Sequence, residues 1–201
     1  MPDEGFTELA GERVLLRRFQ LADVAEFVAY RSCAEVARFQ SWDAPYRRDE
    51  GERFARQMMK RHPDTAGEWF QFAVVLRPAG QLIGDCAAMP HAGDPRQCEI
   101  GFTIAPGHQG RGYATEAARL LVGYLFGRRA KHRVTASCDA RNTASAAVLE
   151  RLGMRREGHL RESTWAKGEW TDDLLYGLLR HEWHPGGGDV PGPARARRPS
   201  G

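Results

Sequence analysis

Hydrophobic and polar positions change period several times along the chain, and each change marks an expected element. Residues 12–19, Glu-Arg-Val-Leu-Leu-Arg-Arg-Phe, alternate imperfectly as a strand does, and residues 21–28 switch to helical spacing. A polar stretch bearing Phe39, Trp42 and Tyr46 follows and reads as a cover over something beneath it. A charged amphipathic helix is expected over residues 49–60, with a stop at His62-Pro63. Three strand-like runs, 69–76, 82–89 and 98–105, are separated by Pro78-Ala79-Gly80 and Gly93-Asp94-Pro95 and predict an antiparallel meander.

Helical spacing returns over residues 112–126, with Ala114, Ala117, Leu121 and Leu125 on one stripe. Residues 134–138 read as a strand and 143–152 as a helix capped by Gly153. The runs 154–165 and 170–179 flank Lys167-Gly168-Glu169 and predict a C-terminal hairpin. The expected fold is mixed α/β, one domain over residues 1–183, with no internal repeat. Residues 184–201 turn to glycine, proline and arginine, a composition that buries little apolar area and is expected to be a disordered tail.

Composition narrows the class. The 201 residues are 42% hydrophobic, which suits a single globular domain with a sizeable core. No apolar run approaches the roughly 20 residues of a membrane span, and the start lacks both a basic and an apolar leader region, so the expectation is a cytoplasmic protein with no membrane partner. Cys33, Cys86, Cys98 and Cys138 form no CxxC pair, which points to reduced, buried thiols and to no metal site. The 29 basic against 26 acidic side chains make no concentrated positive field. Arg195, Arg197 and Arg198 of the tail would neutralise too few phosphates for more than weak binding, so nucleic acid is not the expected partner.

The segment richest in chemistry is residues 100–117, Ile-Gly-Phe-Thr-Ile-Ala-Pro-Gly-His-Gln-Gly-Arg-Gly-Tyr-Ala-Thr-Glu-Ala, which runs strand, loop, helix. Gly110 and Gly112 permit positive φ and close approach of a ligand, and the first N–H groups of the following helix have no intrahelical partner. Such a helix start is an anion site able to take a pyrophosphate. A glycine pair alone fits an ordinary loop equally well, and the spacing is not that of a dinucleotide fold, because GxGxxG fails at Thr115.

Further along come Asn142-Thr143-Ala144-Ser145 and Leu149-Glu150-Arg151-Leu152-Gly153-Met154. Together with the Gln-x-x-Gly-x-Ala pattern at residues 109–114, these stretches resemble the GCN5-related N-acetyltransferase superfamily. Gly-Tyr-Ala-Thr-Glu-Ala and Asn-x-x-Ser are similar to its RimJ/RimL branch, which includes ribosomal-protein N-terminal acetyltransferases. The resemblance covers about residues 10–182, strongest from Glu99 to Met154 and loose before residue 65. It implies a mostly antiparallel twisted sheet of about six or seven strands flanked by about four helices.

The resemblance also implies acetyl-coenzyme A as donor. Gln109, Gly110, Arg111, Gly112, Tyr113 and Ala114 would contact its pyrophosphate, with Arg111 adding charge. Phe102, Thr103 and Ile104 would pair with the pantetheine arm and offer an N–H to the thioester carbonyl. Asn142 would bond a pantetheine amide, although an Asn there equally suits an N-cap.

An amine attacks only when neutral. Near pH 7 an α-amine is roughly 15 to 20% neutral, whereas a lysine amine is below roughly 0.1% neutral, so an N-terminal acceptor needs only a modest base. The resemblance assigns that role to Glu99, directly or through water; a structurally paired strand glutamate is the other reading. Where many members carry a tyrosine acid for the thiolate, this chain has Leu149, and Ser145 is the group that would hydrogen-bond the sulfur. The branch's late carboxylate falls on Thr164, with Glu162 two positions away. Trp42, Trp69, Trp165 and Trp170 fit either an acceptor pocket or core packing.

Three readings follow. The first is acetyl transfer to a protein N-terminal amine by direct attack in a ternary complex. The second is the same chemistry on a small amine such as an aminoglycoside, polyamine or amino acid. The third is a non-catalytic acetyl-coenzyme A binding module. A homodimer is open in all three.

Overall fold

Val14 and Leu16 are fully buried while Leu15 and Arg17 are half-buried, which is the alternation of a strand with one face on a core. In the computed structural model, which describes Phe6 and residues 8–185, this strand is the second of eight. The strands are β1 (Glu8–Ala10), β2 (Val14–Arg17), β3 (Phe70–Leu76), β4 (Leu82–Pro90), β5 (Gln97–Ile104), β6 (Arg133–Asp139), β7 (Arg155–Ala166) and β8 (Glu169–Leu179). The helices are α1 (Val24–Arg31), α2 (Ala34–Ala37), α3 (Arg48–Lys60), α4 (Tyr113–Gly127) and α5 (Thr143–Arg151). The count exceeds the expected six or seven strands and four helices. β1 has only three residues, paired through Glu8↔Arg17 to Ala10↔Leu15, and α2 only four, both too short to show a period.

The sheet order is β1-β2-β3-β4-β5-β6-β8-β7, antiparallel throughout except between β5 and β6. The expected meander is β3-β4-β5. Gly84 marks the tightest point of that meander, because a Cβ there would lie 2.1 Å from the Thr103 carbonyl oxygen. The β5-α4-β6 crossover is the unit that forces a parallel pair into the sheet.

Alternation sends the two faces to different helices. Phe70 and Phe72 meet Phe6 and Tyr124 of α4, with ring centroids 4.7 to 6.3 Å apart. On the other face Phe19, Phe27 of α1 and Phe54 of α3 form a second aromatic group at 4.6 to 5.4 Å. Asp85 of β4 points to this second face, where it accepts a short hydrogen bond from the Tyr30 hydroxyl. Burial pushes the Asp85 carboxyl up against the opposing pull of Arg31, 3.9 Å away.

Arg31 anchors the cover. Its guanidinium lies 3.9 Å from the Trp42 ring centroid, 4.3 Å from Phe27, 5.0 Å from Phe54 and 5.3 Å from Tyr46. Trp42 Nε1 donates to the Arg31 carbonyl, and the Ser32 hydroxyl bonds both the carbonyl and the N–H of Tyr46. The segment after α2 is thereby fastened to α1. Its far side meets the β7–β8 hairpin, where Lys167 bonds Asp43 at 2.6 Å and the Trp42 carbonyl. Of the expected tail, residues 186–201 lie outside the described residues.

Candidate active site

β5 and β6 are eight and seven residues long, yet they pair over only three positions, Gln97↔Arg133, Cys98↔Val134 and Glu99↔Thr135. Beyond Glu99 the strands separate. Residues 100–104 of β5 and 136–139 of β6 face each other across a slot with no ladder between them. A strand edge left unpaired inside a sheet presents backbone N–H and C=O groups to whatever extended chain enters.

Two cavities meet at this slot. The larger, about 1400 Å³, runs along the start of α4 and takes in Phe102, Thr103, Ile104, Asn142 and Ser145. The smaller, about 100 Å³, is lined by Ile100, Gly101 and Phe102 on one strand and by Ala136, Ser137, Cys138 and Asp139 on the other. Phe39 and Gln40 of the cover line both, as do Phe102, Asn142 and Ser145.

The loop before α4 has the geometry its glycines allow. Gly110 has φ +72° and Gly112, the N-cap of α4, has φ +80° in the left-handed region. Gly110, Gly112, Tyr113 and Ala114 line the large cavity at the helix start, where free N–H groups and the helix dipole favour an anion. Gln109 also lines it, with its side-chain nitrogen donating to the Ile104 carbonyl at 2.8 Å, which ties the loop to the end of β5. Arg111 is exposed and does not line the cavity; its carbonyl accepts from Arg13 Nη1 at 2.9 Å.

Asn142 performs the capping role, with Oδ1 accepting from the Ser145 N–H at 3.1 Å. With that oxygen engaged, the group it can offer a ligand is its amide N–H pair. Leu149 is 1% exposed, so packing occupies the place where a tyrosine acid was sought. Glu99 is the last residue of β5 paired with β6; it lines neither cavity and accepts at 3.2 Å from the hydroxyl of Ser137, which lines the smaller one.

Register places Ser137 and Asp173 on the same sheet face as Glu99, through Glu99↔Thr135, Ser137↔Leu175 and Asp139↔Asp173. Neither was found in the sequence, although the two-residue alternation from Thr135 to Ser137 was the available signal. Thr164 donates to Asp173 at 2.6 Å and Ser163 donates at 2.7 Å. Residue 164 therefore offers a hydroxyl that is engaged by a carboxylate on the neighbouring strand.

None of the four tryptophans considered for an acceptor pocket lines either cavity. Trp165 and Trp170 are 60% and 57% exposed and pack edge to face at 5.5 Å on the hairpin. The cysteines are free; Cys86 and Cys98 are buried, whereas Cys33 and Cys138 are only half-buried. Burial, with Asp139 and Asp173 beside it, pushes the Cys138 thiol up to about 11.

A family model described as an acetyltransferase (GNAT) domain matches residues 13–155. The chain is 31% identical over 173 residues to the uncharacterized N-acetyltransferase YnaD of Bacillus subtilis strain 168, covering 86% of this chain and 97% of that protein. It is 32% identical over 89 residues to the ribosomal protein uS5-alanine N-acetyltransferase of Escherichia coli K12, covering 44% of this chain and 46% of that one. The crystal structure of a GNAT-family acetyltransferase from Bacillus anthracis superposes with a TM-score of 0.79 at 28% identity, over 87% of this chain and 99% of the other. The chain belongs to the acetyltransferase (GNAT) domain family and is an N-acetyltransferase.

Proposed function

We propose that this protein transfers an acetyl group from acetyl-coenzyme A to the α-amine of a protein or peptide N-terminus, by direct attack in a ternary complex. The observation that carries the reading is the slot between β5 and β6, opening beside the left-handed Gly110 and Gly112 loop. These features fit the donor from end to end. A pyrophosphate suits the N–H groups at the start of α4, and an amide-bearing arm suits the unpaired edge of residues 100–104. When bound, the donor supplies an acetyl group already activated as a thioester.

The chain's own groups then divide the work. Phe102, Thr103 and Ile104 orient the arm through their backbone and exclude water from it. Glu99 accepts the proton of the attacking amine, directly or through one water, with Ser137 fixing its carboxylate. Ser145 donates to the departing sulfur. Cys138 supports direct attack over a thioester-enzyme route: with its thiol raised to about 11, only about one molecule in ten thousand carries the thiolate near pH 7.

Two observations favour an N-terminal amine. The face carrying Glu99, Ser137 and Asp173 is half-exposed and polar, which suits a peptide backbone. A carboxylate base suits an amine already partly neutral. The partial likeness to a uS5-alanine N-acetyltransferase points the same way. The test is thiol release from acetyl-coenzyme A with peptides bearing N-terminal alanine or serine, set beside polyamines and aminoglycosides. Turnover confined to the small amines would transfer the reading to them, and absence of thioester-dependent thermal stabilisation would remove the donor assignment.

A further inference from the structure

Arg13 lies outside every motif, at the corner between β1 and β2, yet it meets four residues of the donor loop and the first turn of α4. Its backbone N–H donates to Glu116 Oε1 at 2.7 Å and its Nε to Oε2 at 2.8 Å. Nη1 donates to the Arg111 carbonyl at 2.9 Å. The guanidinium stands 5.1 Å from the Tyr113 ring centroid, and Nη2 lies 3.3 Å from where a Cβ on Gly112 would sit. Both Arg13 and Glu116 line the large cavity.

Glu116 creates a problem that Arg13 solves. A carboxylate in the first turn of α4 competes with a phosphate for the same helix field. Here it is drawn back into the β1–β2 corner, with the Val14 N–H adding a third donor at 3.2 Å. The corner is shaped to receive it, since a Cβ on Gly11 would lie 2.8 Å from Glu116 Oε1. Burial pushes this carboxyl up, but the Arg13 and Val14 N–H groups and the guanidinium outweigh it, so Glu116 stays below the usual carboxylate range and carries its charge. That charge needs a counter-charge if an anion is to bind beside it.

We propose that Arg13 is a positioning residue for the donor's pyrophosphate: it cancels the Glu116 charge and holds the Arg111 carbonyl, so that the loop meets phosphate with its N–H groups. This rests on the acetyl-coenzyme A reading. The exposed half of the guanidinium is also close enough to the loop to add its charge to the anion site.

The test compares acetyl-coenzyme A with S-acetylpantetheine, which keeps the thioester arm and lacks the pyrophosphate. Arg13→Ala should raise both the Kd for acetyl-coenzyme A measured by calorimetry and its KM roughly tenfold, the scale of one charge-assisted hydrogen bond, with kcat little changed. Its kcat/KM with acetylpantetheine should equal that of the wild type. Arg13→Lys, which keeps charge but loses the fork, should fall between. Arg13→Ala combined with Glu116→Gln should recover most of the loss, because the uncompensated charge is gone. Glu116→Gln alone should lower KM for acetyl-coenzyme A about two- to fivefold, and it reads the same electrostatics if Arg13→Ala does not fold. Equal losses with both donors would make Arg13 a structural brace and overturn the proposal, as would an unchanged KM in Arg13→Ala or a raised KM in Glu116→Gln. A wild-type enzyme that treats the two donors alike would instead overturn the donor reading beneath it.

Discussion

The two ends of the site are built in different ways. At the donor end, residues 99–114 form one continuous stretch in which strand edge, loop and helix start follow one another, and the groups this stretch presents are mainly backbone groups. At the proposed acceptor end, the contacts come from side chains on different elements: Lys167 reaches Asp43, 124 positions away, and Ser163 and Thr164 of β7 reach Asp173 of β8. The family match, over residues 13–155, spans the donor end and stops where the β7–β8 hairpin begins. Backbone geometry fixed by glycines tolerates little change, whereas side chains clasped across a groove can be exchanged without refolding the sheet. On the proposed function, shared chemistry resides at the first end and acceptor choice at the second.

The largest effect is expected where the ends meet. Glu99→Gln should lower kcat/KM by roughly 10²- to 10⁴-fold near neutral pH while leaving acetyl-coenzyme A binding intact. The deficit should shrink as pH rises towards the amine's own pKa, because more acceptor then arrives deprotonated. A flat pH profile with near-normal kcat/KM would make Glu99 a structural partner of Ser137. Gly112→Val attacks the donor end alone. It forces a branched side chain into φ +80° against Arg13, and should abolish the stabilisation of about 2.7 kcal/mol that a donor at 100 times its Kd confers. A full thermal shift in this variant would remove the pyrophosphate assignment.

The contrast also explains what could be read from the sequence. Periods in the chain located all the long elements, and the 109–114 pattern located the helix start, because both are local properties of consecutive residues. β1 and α2 escaped because three and four residues show no period. The partners of the site escaped for a different reason: Arg13 reaches Glu116 across 103 positions, and Ser137 becomes Glu99's neighbour only through a parallel register that stops after three pairs. Asn142 was readable as either cap or ligand contact, and the Ser145 N–H on its Oδ1 makes the cap certain.

Smaller effects are expected at Ser145 and Lys167. Ser145→Ala removes one hydrogen bond to the departing sulfur and should cost about two- to tenfold in kcat, with no rescue by alkali. Rescue at high pH would place Ser145 on the proton-acceptor side with Glu99. Lys167→Ala opens the clasp between hairpin and cover. Because that pair is partly exposed, its loss should change KM for the acceptor by about two- to fivefold and leave KM for acetyl-coenzyme A alone. A change confined to the donor's KM would erase the division between the two ends.

In the proposed function, the slot between β5 and β6 receives the donor's arm along an unpaired strand edge. Hydrogen–deuterium exchange with and without acetyl-coenzyme A reads that edge directly. Strong new protection is expected at amides of residues 100–104 together with residues 110–114, and little change on the β7–β8 hairpin. Protection at the start of α4 without any in residues 100–104 would contradict it, placing the donor's phosphates at the helix but its arm outside the slot.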